Sequence, residues 1–428
     1  MVTRLFHAAP AICLILHICL VATGLLTLVG SNIAGVASGL LITTMLLWSL
    51  WRDIGDPQRM GCMQRAFVLW ASAAVLVGVC AIAQYYAHNP WGGWDAWAMW
   101  NARARGIFLN RTDWLWQLTH SMPKLHPDYP PLLPVAIVGG WILAGQETTV
   151  VPFVVGLISY CGLCGTMYLA IGQFSRITPN LRAAAVAVFA VTPHVVSMSA
   201  SQYADVPITF YAFFGLVALR IGIIGNRRIY RILGGTAVGM AACTKNEGMV
   251  MAALVALIAL YWVLSHANDR RDRVCCLRDL ALGMAPWLLA LWAYRGVSLV
   301  PNDLVANQTV QNVFRNLTDP SRHFVILKYL VAEVLCPSHW GLCGPLIVGC
   351  VVYGSWVHGR LRSKAMLLMA IGLLTMYYIV YLVTPYELSW HLNTSLSRTM
   401  LHLYPFAYAF AILQFARSPV DSTVAPLV

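Results

Sequence analysis

Charge is what this sequence has least of. Only 16 of its 428 residues are Asp or Glu, and charged residues of both signs make up 10% of the chain against 59% hydrophobic ones. A soluble domain carries roughly a quarter charged residues, so this composition leaves no room for a soluble domain of useful size. Other things are missing too. There is no Gly-x-Ser-x-Gly, no nucleotide-binding P-loop and no His-Glu-x-x-His, so nothing supports ATP-driven or nucleotide-sugar chemistry. The 12 cysteines show no zinc spacing and read as small packing residues, although Cys336 and Cys343 could pair across an outer loop. No low-complexity tract and no strong internal repeat is present. With so few acids, each one outside a basic loop is a marker.

Long charge-free runs fill the chain instead. Pro10–Gly30, Ile33–Trp51, Ala66–Tyr86, Val150–Gln173 and Ala365–Val383 are each long enough to cross the ~30 Å hydrocarbon core as a helix. A barrel would need short alternating strands, so the class is an all-α, multi-pass membrane protein. The first run is long for a signal peptide and lacks a small-residue cleavage site. The net charge of +12 reads as basic cytoplasmic loops, not as nucleic-acid binding. Five such loops stand out: Arg52/Arg59/Arg65, Arg176/Arg182, Arg227/Arg228/Arg231, Arg270/Arg271/Arg273/Arg278, and Arg360/Arg362/Lys364. If all five face the cytoplasm, four polar features fall on the outer side. They are Asn89–Pro131, Asp205, Lys245-Asn246-Glu247 and Thr384–Thr399. This alternation needs about twelve spans, with the short apolar stretches Leu132–Gly145 and Phe324–Cys336 re-entrant or interfacial.

The outer features carry the chemistry. In the first loop Asp95 lies among Trp91, Trp94, Trp97 and Trp100, which recur every three residues. On a helix they would form one apolar face and lay it on the bilayer surface. Further along, His126-Pro127-Asp128-Tyr129-Pro130-Pro131 forms a rigid extended approach to a short apolar helix. Asp205 opens a span, where an acid serves equally as a helix N-terminal residue or as a site residue. Lys245 interrupts an apolar run, either as Glu247's ion-pair partner or as a phosphate ligand. Arg398 precedes the last run. It could snorkel to the interface or grip a phosphate with its planar fork. Arg103, Arg105, Arg111 and Lys124 supply further cations near Asp95.

In this order the motifs resemble the GT-C superfamily of integral-membrane glycosyltransferases. The bacterial branch related to protein O-mannosyltransferases and the lipid A aminoarabinose transferase is the most similar. The resemblance rests on Asp95 in a Trp-rich outer loop, Asp128-Tyr129-Pro130-Pro131-Leu132, Tyr203-Ala204-Asp205-Val206-Pro207, Lys245-Asn246-Glu247-Gly248, and Arg398 followed by His402-Leu403-Tyr404-Pro405. It implies one integral-membrane domain over 1–428, with two extra N-terminal spans in 1–65, a GT-C-like core in 66–428 and an outer catalytic loop in 87–131. It implies an inverting transfer of a sugar from a polyprenyl-phosphate donor to a glycan, lipid or protein acceptor, at the outer face of the inner (plasma) membrane. Asp95 is then the base and Asp205 its partner in catalysis. Lys245, Arg398 and Arg103 hold the donor phosphate. His126, Asp128, Tyr129, Glu247 and His391 contact acceptor or sugar. No cofactor is implied, and a divalent cation is left open. Two features depart from the pattern: two spans precede the one leading to Asp95, and acceptor recognition falls to loops, since no large C-terminal outer domain is present. The competing class is a secondary transporter or flippase of a lipid-linked or anionic substrate.

Overall fold

A computed structural model describes residues 2–29, 36–37, 40–41, 43–45, 62–116, 125–174, 177–267, 269–298, 300–306, 308–358 and 363–414. Every regular element among them is helical. The longer helices are α1 (Val2–Val29), α2 (Cys62–His88), α3 (Asn101–Leu109), α4 (Leu132–Ala144), α5 (Val150–Phe174), α6 (Pro179–Ala190), α7 (Pro193–Ala200), α8 (Asp205–Ile224), α9 (Arg228–Ala242), α10 (Asn246–His266), α11 (Arg270–Val297), α12 (Val310–Thr318), α13 (Pro320–Val334), α14 (Cys343–His358), α15 (Lys364–Val383) and α16 (Leu388–Leu413).

Seven of these helices are long and apolar enough to cross a membrane, or eight if the bent pair α6–α7 counts as one span. The chain is thus an all-α, multi-pass membrane protein. Among the described residues this is fewer than the twelve or so expected for the whole chain from charge alternation. The apolar run Ile33–Trp51 falls mostly outside the described residues. The α6–α7 run is bent by 55°. Pro193 has no N–H to give, and it forces Thr192 into extended backbone (φ −61°, ψ 121°). Helix α9 has 15 residues, about 22 Å of rise and short of the hydrocarbon thickness. Of the basic loops, Arg52, Arg59, Arg176, Arg360 and Arg362 lie outside the described residues, as does Lys124.

Helix α8 is the axis of the bundle. It packs against α5, α9, α10 and α16, and Val206–Leu219 is buried without a break. By contrast α2 and α11 expose much of their surface. Trp70 is 73% exposed and Trp292 is 77% exposed. Large apolar side chains left open on long apolar helices face lipid.

The short helix α4 is packed inside the bundle. Leu132 to Trp141 are all buried, and the helix ends on Gly145 in the left-handed region (φ 72°). Its partner is α1, and the two backbones approach closely through glycine. A Cβ on Gly139 would lie 1.9 Å from the Leu20 carbonyl oxygen, and one on Gly24 would lie 2.4 Å from that of Val135. Small residues permit such contacts where lipid supplies no hydrophobic driving force between helices. Helix α13 differs, since Ile326 is the one residue it buries. Cys336 and Cys343 are both free thiols, so the expected pairing is absent.

At the C-terminal end of α8 sits a buried charge group. Arg231 donates to Asp279 Oδ2 from Nε at 3.0 Å and from Nη2 at 2.8 Å, and Nη1 reaches the Gly222 carbonyl at 3.0 Å. Arg228 and Arg278 approach Asp279 from outside at 3.4 and 2.9 Å. This ties α8, α9 and α11 together. Asp279→Ala is expected to leave the Arg231 guanidinium buried and unpaired, at a cost of about 3–5 kcal/mol. A thermal-aggregation scan of the detergent-solubilised variant checks this. A midpoint equal to wild type would make the group a surface feature.

Candidate functional site

The other end of α8 gathers most of the polar residues singled out from the sequence. The loop after α2 docks there first. Gly92 takes a left-handed backbone (φ 77°), and a Cβ on it would lie 2.5 Å from the Ser201 carbonyl oxygen. Gly93 N–H donates to that same carbonyl at 3.0 Å. Gln202 Nε2 donates to the Pro90 carbonyl at 3.1 Å, and Asn101 Nδ2 donates to Gln202 Oε1 at 3.3 Å. The Asp95 segment is thereby fixed against the turn that leads to Asp205.

Trp94 and Asp95 begin a helix that passes through a π-turn, Ala96–Trp100, before α3. The π-turn changes the expected surface face. Five-residue spacing breaks the three-residue phase, and Trp91 lies in the turn before the helix. Trp94 and Trp97 are exposed at 68% and 48%, and their rings meet edge to face with centroids 4.6 Å apart. Trp100 is buried and stacks on Tyr129 at 5.8 Å. The four tryptophans therefore do not form one face.

Asp95 forms an ion pair with Arg398 of α16, and the two side chains keep 28% and 21% exposure. The Arg398 guanidinium also lies over the Tyr203 ring at 5.4 Å, while its buried Nε has no hydrogen-bond partner among the described residues. Burial and the neighbouring Asp95 charge push the Tyr203 hydroxyl above its ordinary pKa.

Asp205 lies deeper, 2% exposed. Its Oδ1 accepts from Lys245 Nζ at 3.1 Å and from His402 Nε2 at 3.1 Å. Lys245 pairs equally with Glu247 at 3.1 Å. Burial alone would pull the Lys245 ammonium down, but Asp205 and Glu247 outweigh it and hold its pKa above the ordinary value. The ion pair with Glu247 that the sequence suggested is present, and Asp205 joins it. Behind Asp205, His402 Nδ1 bonds the Tyr377 hydroxyl of α15.

The His126–Pro131 loop braces this turn. Asp128 is buried, and its Oδ2 accepts from Asn246 Nδ2 at 2.8 Å and Asn302 Nδ2 at 3.0 Å. The Tyr129 ring lies 5.8 Å from Lys245 Nζ and stacks on His126 at 5.6 Å. His126 itself holds a left-handed backbone (φ 51°) and lies 3.8 Å from Asp128. His391 bonds Thr384 Oγ1 at 2.8 Å and touches the Tyr381 ring edge at 5.0 Å. Tyr381 in turn bonds Ser395 and Thr399, both at 3.0 Å, which flank Arg398 on α16.

Asp95, Asp205, Lys245, Glu247 and Arg398 come together, with Tyr129, Asp128, His126 and His391 around them. Arg103 stands apart. It is fully buried beneath the loop, where Nη2 donates to the Tyr129 carbonyl at 2.7 Å. Its Nε and Nη1 have no partner among the described residues. Burial draws this guanidinium below its ordinary pKa, against the pull of Tyr294 and Asp128. Its geometry is that of a brace for Tyr129, not of an accessible cation. Sequence reasoning quoted Tyr203 and His402 within motifs but gave them no role, and it left Tyr377 unnamed. An ionisable side chain in an apolar helix was the available signal for His402.

Neither a protein-family model nor a curated protein sequence matches the chain. Among solved structures it is similar to the archaeal oligosaccharyltransferase AglB from Archaeoglobus fulgidus, determined in complex with an inhibitory peptide and a dolichol-phosphate. The TM-score is 0.41 at 11% identity, over 81% of this chain and 50% of that one. The chain therefore spans about half the length of that protein.

Proposed function

We propose that this protein is an inverting glycosyltransferase of the GT-C kind. It takes a sugar from a polyprenyl-phosphate donor and passes it to a glycan, lipid or protein acceptor at the outer face of the plasma membrane. The observation that carries this reading is the pairing of two acids with two cations at one end of the bundle. One pair, Asp95–Arg398, is open to the exterior, and the other, Asp205–Lys245, is buried behind it. Such a layout offers a base to an acceptor hydroxyl and cations to a phosphate.

The chemistry follows from that layout. The acceptor oxygen attacks the anomeric carbon and gives its proton to Asp95. The bond from that carbon to the phosphate oxygen breaks, and its electron pair stays on the lipid phosphate. Arg398 and Lys245 stabilise the charge that grows there, which lowers the barrier only because that charge is larger in the transition state. A phosphate that engages Arg398 competes with Asp95 for it and so releases the base. Single displacement with one base inverts the sugar. Asp205, Glu247, His126, Asp128, Tyr129 and His391 shape the acceptor and sugar side. Arg103 keeps Tyr129 in place.

Mass spectrometry of envelope glycans and polyprenyl-linked sugars in a deletion strain tests this. A lost glycan residue with its lipid donor accumulating is the expected result. A lipid-linked sugar trapped on the inner leaflet would support the flippase class instead.

Sidedness has its own prediction. Helix α8 separates the acid–cation site from the Arg228–Arg231–Asp279 group by 20 residues, about 30 Å. Basic ends face the cytoplasm. In a cysteine-free background, Trp94→Cys is expected to react with an impermeant thiol reagent on intact cells, and Arg228→Cys only after permeabilisation. The reverse pattern overturns the outer-face reading.

A further inference from the structure

Asp205 is held in an unusual way. Both of its side-chain hydrogen bonds fall on one oxygen, Oδ1, from Lys245 and from His402. No hydrogen bond among the described residues falls on Oδ2. His402 is fully buried and Tyr377 is 2% exposed, so neither shares its bonds with bulk water. The proton positions follow from the partners. A carboxylate next to an ammonium can only accept, so His402 Nε2 must carry a hydrogen. A neutral imidazole then has a bare Nδ1, which accepts from the Tyr377 hydroxyl. In this neutral form the chain runs one way, from Tyr377 O–H to His402 Nδ1 and from His402 Nε2–H to Asp205 Oδ1.

We propose that His402 and Tyr377 are positioning residues, which hold Asp205 so that its Oδ2 faces the site as the acceptor for a substrate hydroxyl. This rests on the glycosyltransferase reading. It assigns Asp205 to orienting the incoming hydroxyl or a sugar hydroxyl, with Asp95 left to take the proton. Without the imidazole, Asp205 keeps only Lys245, and its plane is free to turn. Asp205 sets the tautomer, and Tyr377 contributes by donating to the bare Nδ1 and so holding the ring in place: without its hydroxyl, Nδ1 is left buried and unpaired and the ring is free to tilt. A lone buried histidine that merely packs α16 against α8 and α15 needs no fixed tautomer.

Two measurements test this. The first is the side-chain ¹⁵N spectrum of histidine-labelled full-length protein in lipid nanodiscs at pH 7, with the His402 signal assigned by its loss in His402→Gln. A neutral Nε2–H tautomer is expected in the wild type and in Tyr377→Phe, with the bare Nδ1 signal of the variant shifted by the loss of its hydrogen-bond donor. An Nδ1–H tautomer in the wild type overturns the proposal, because no N–H would then face Asp205. The second is complementation of the deletion strain, read by the same glycan mass spectrometry, with protein level and thermal midpoint measured alongside. His402→Gln keeps a donor towards Asp205 and is expected to restore the glycan. His402→Leu is expected to lose about 10–100-fold of the transfer, the loss seen when a supporting hydrogen bond behind a site is removed. Equal restoration by both variants reduces the pair to packing. If deletion changes no glycan, the glycosyltransferase reading fails, while the ¹⁵N spectrum still decides whether the chain Tyr377–His402–Asp205 exists.

Discussion

Asp95→Asn is expected to fold normally and to lose transfer by about 10²–10⁴-fold, the contribution of a positioned general base. Folding should survive because the Asp95–Arg398 pair is partly open to solvent, and pairs of that kind are worth only ~0–1 kcal/mol. Asn has nearly the same size and can still accept one bond from the guanidinium. What it cannot do is take a proton. The competing role for Asp95 is a helix cap, in which Asn would replace it with little loss. The geometry disfavours that role: Asp95 makes no side-chain cap bond at the start of the π-turn. Donor binding should persist, since Arg398 and Lys245 remain. The check is an assay of purified Asp95→Asn for both sugar transfer and donor binding. Transfer near the wild-type level would falsify the base assignment and pass the role to Asp205 or Asp128.

Much of the site was legible because the chain is so poor in charge. In such a background an acid or a lysine at a span end is conspicuous, and Asp205, Lys245, Glu247 and Arg398 were singled out for that reason. The positive-inside rule then placed them on one side, and the structure joins them through Asp205 and Asp95. Other parts were not legible. The every-third-residue tryptophans suggested a flat interfacial helix. The phase that decides this depends on a π-turn and on Gly92 and Gly93 docking against Ser201, and those are tertiary contacts. Arg103 looked like one more cation near Asp95, and nothing local signals that its guanidinium turns inward beneath Tyr129. The outline of the individual spans was less legible, for a similar reason. Hydropathy sums residues over a window, but Pro193 bends one run and burial lets α4 be short. His402 and Tyr377 sit inside apolar helices 25 residues apart in sequence, and only the packing of α15 on α16 brings them together.

Arg398→Ala is expected to weaken use of the lipid-linked donor by ~2–5 kcal/mol, about the cost of removing a charge partner from a desolvated contact. The position suits that role. Arg398 reaches Asp95 with one amino group, covers the Tyr203 ring, and keeps a buried Nε that pairs with nothing among the described residues. A phosphate oxygen placed there would complete the fork. Arg398→Lys keeps the charge but offers no planar pair of donors, so it should fall between wild type and Ala. Lys245→Ala is the necessary comparison, and it carries a complication that Arg398→Ala does not. Lys245 is the shared partner of Asp205 and Glu247, so its removal leaves two acids facing each other and should lower the thermal midpoint as well as donor use. Lys245→Arg retains the charge and separates the two effects: it should restore stability more fully than donor use, because the guanidinium does not fit the point contact of an ammonium. Donor titrations, run beside thermal midpoints for all four variants, read both quantities. If Arg398→Ala and Arg398→Lys use the donor as wild type does, Arg398 is only an anchor that holds α16 to the Asp95 loop, and the phosphate site must be sought elsewhere.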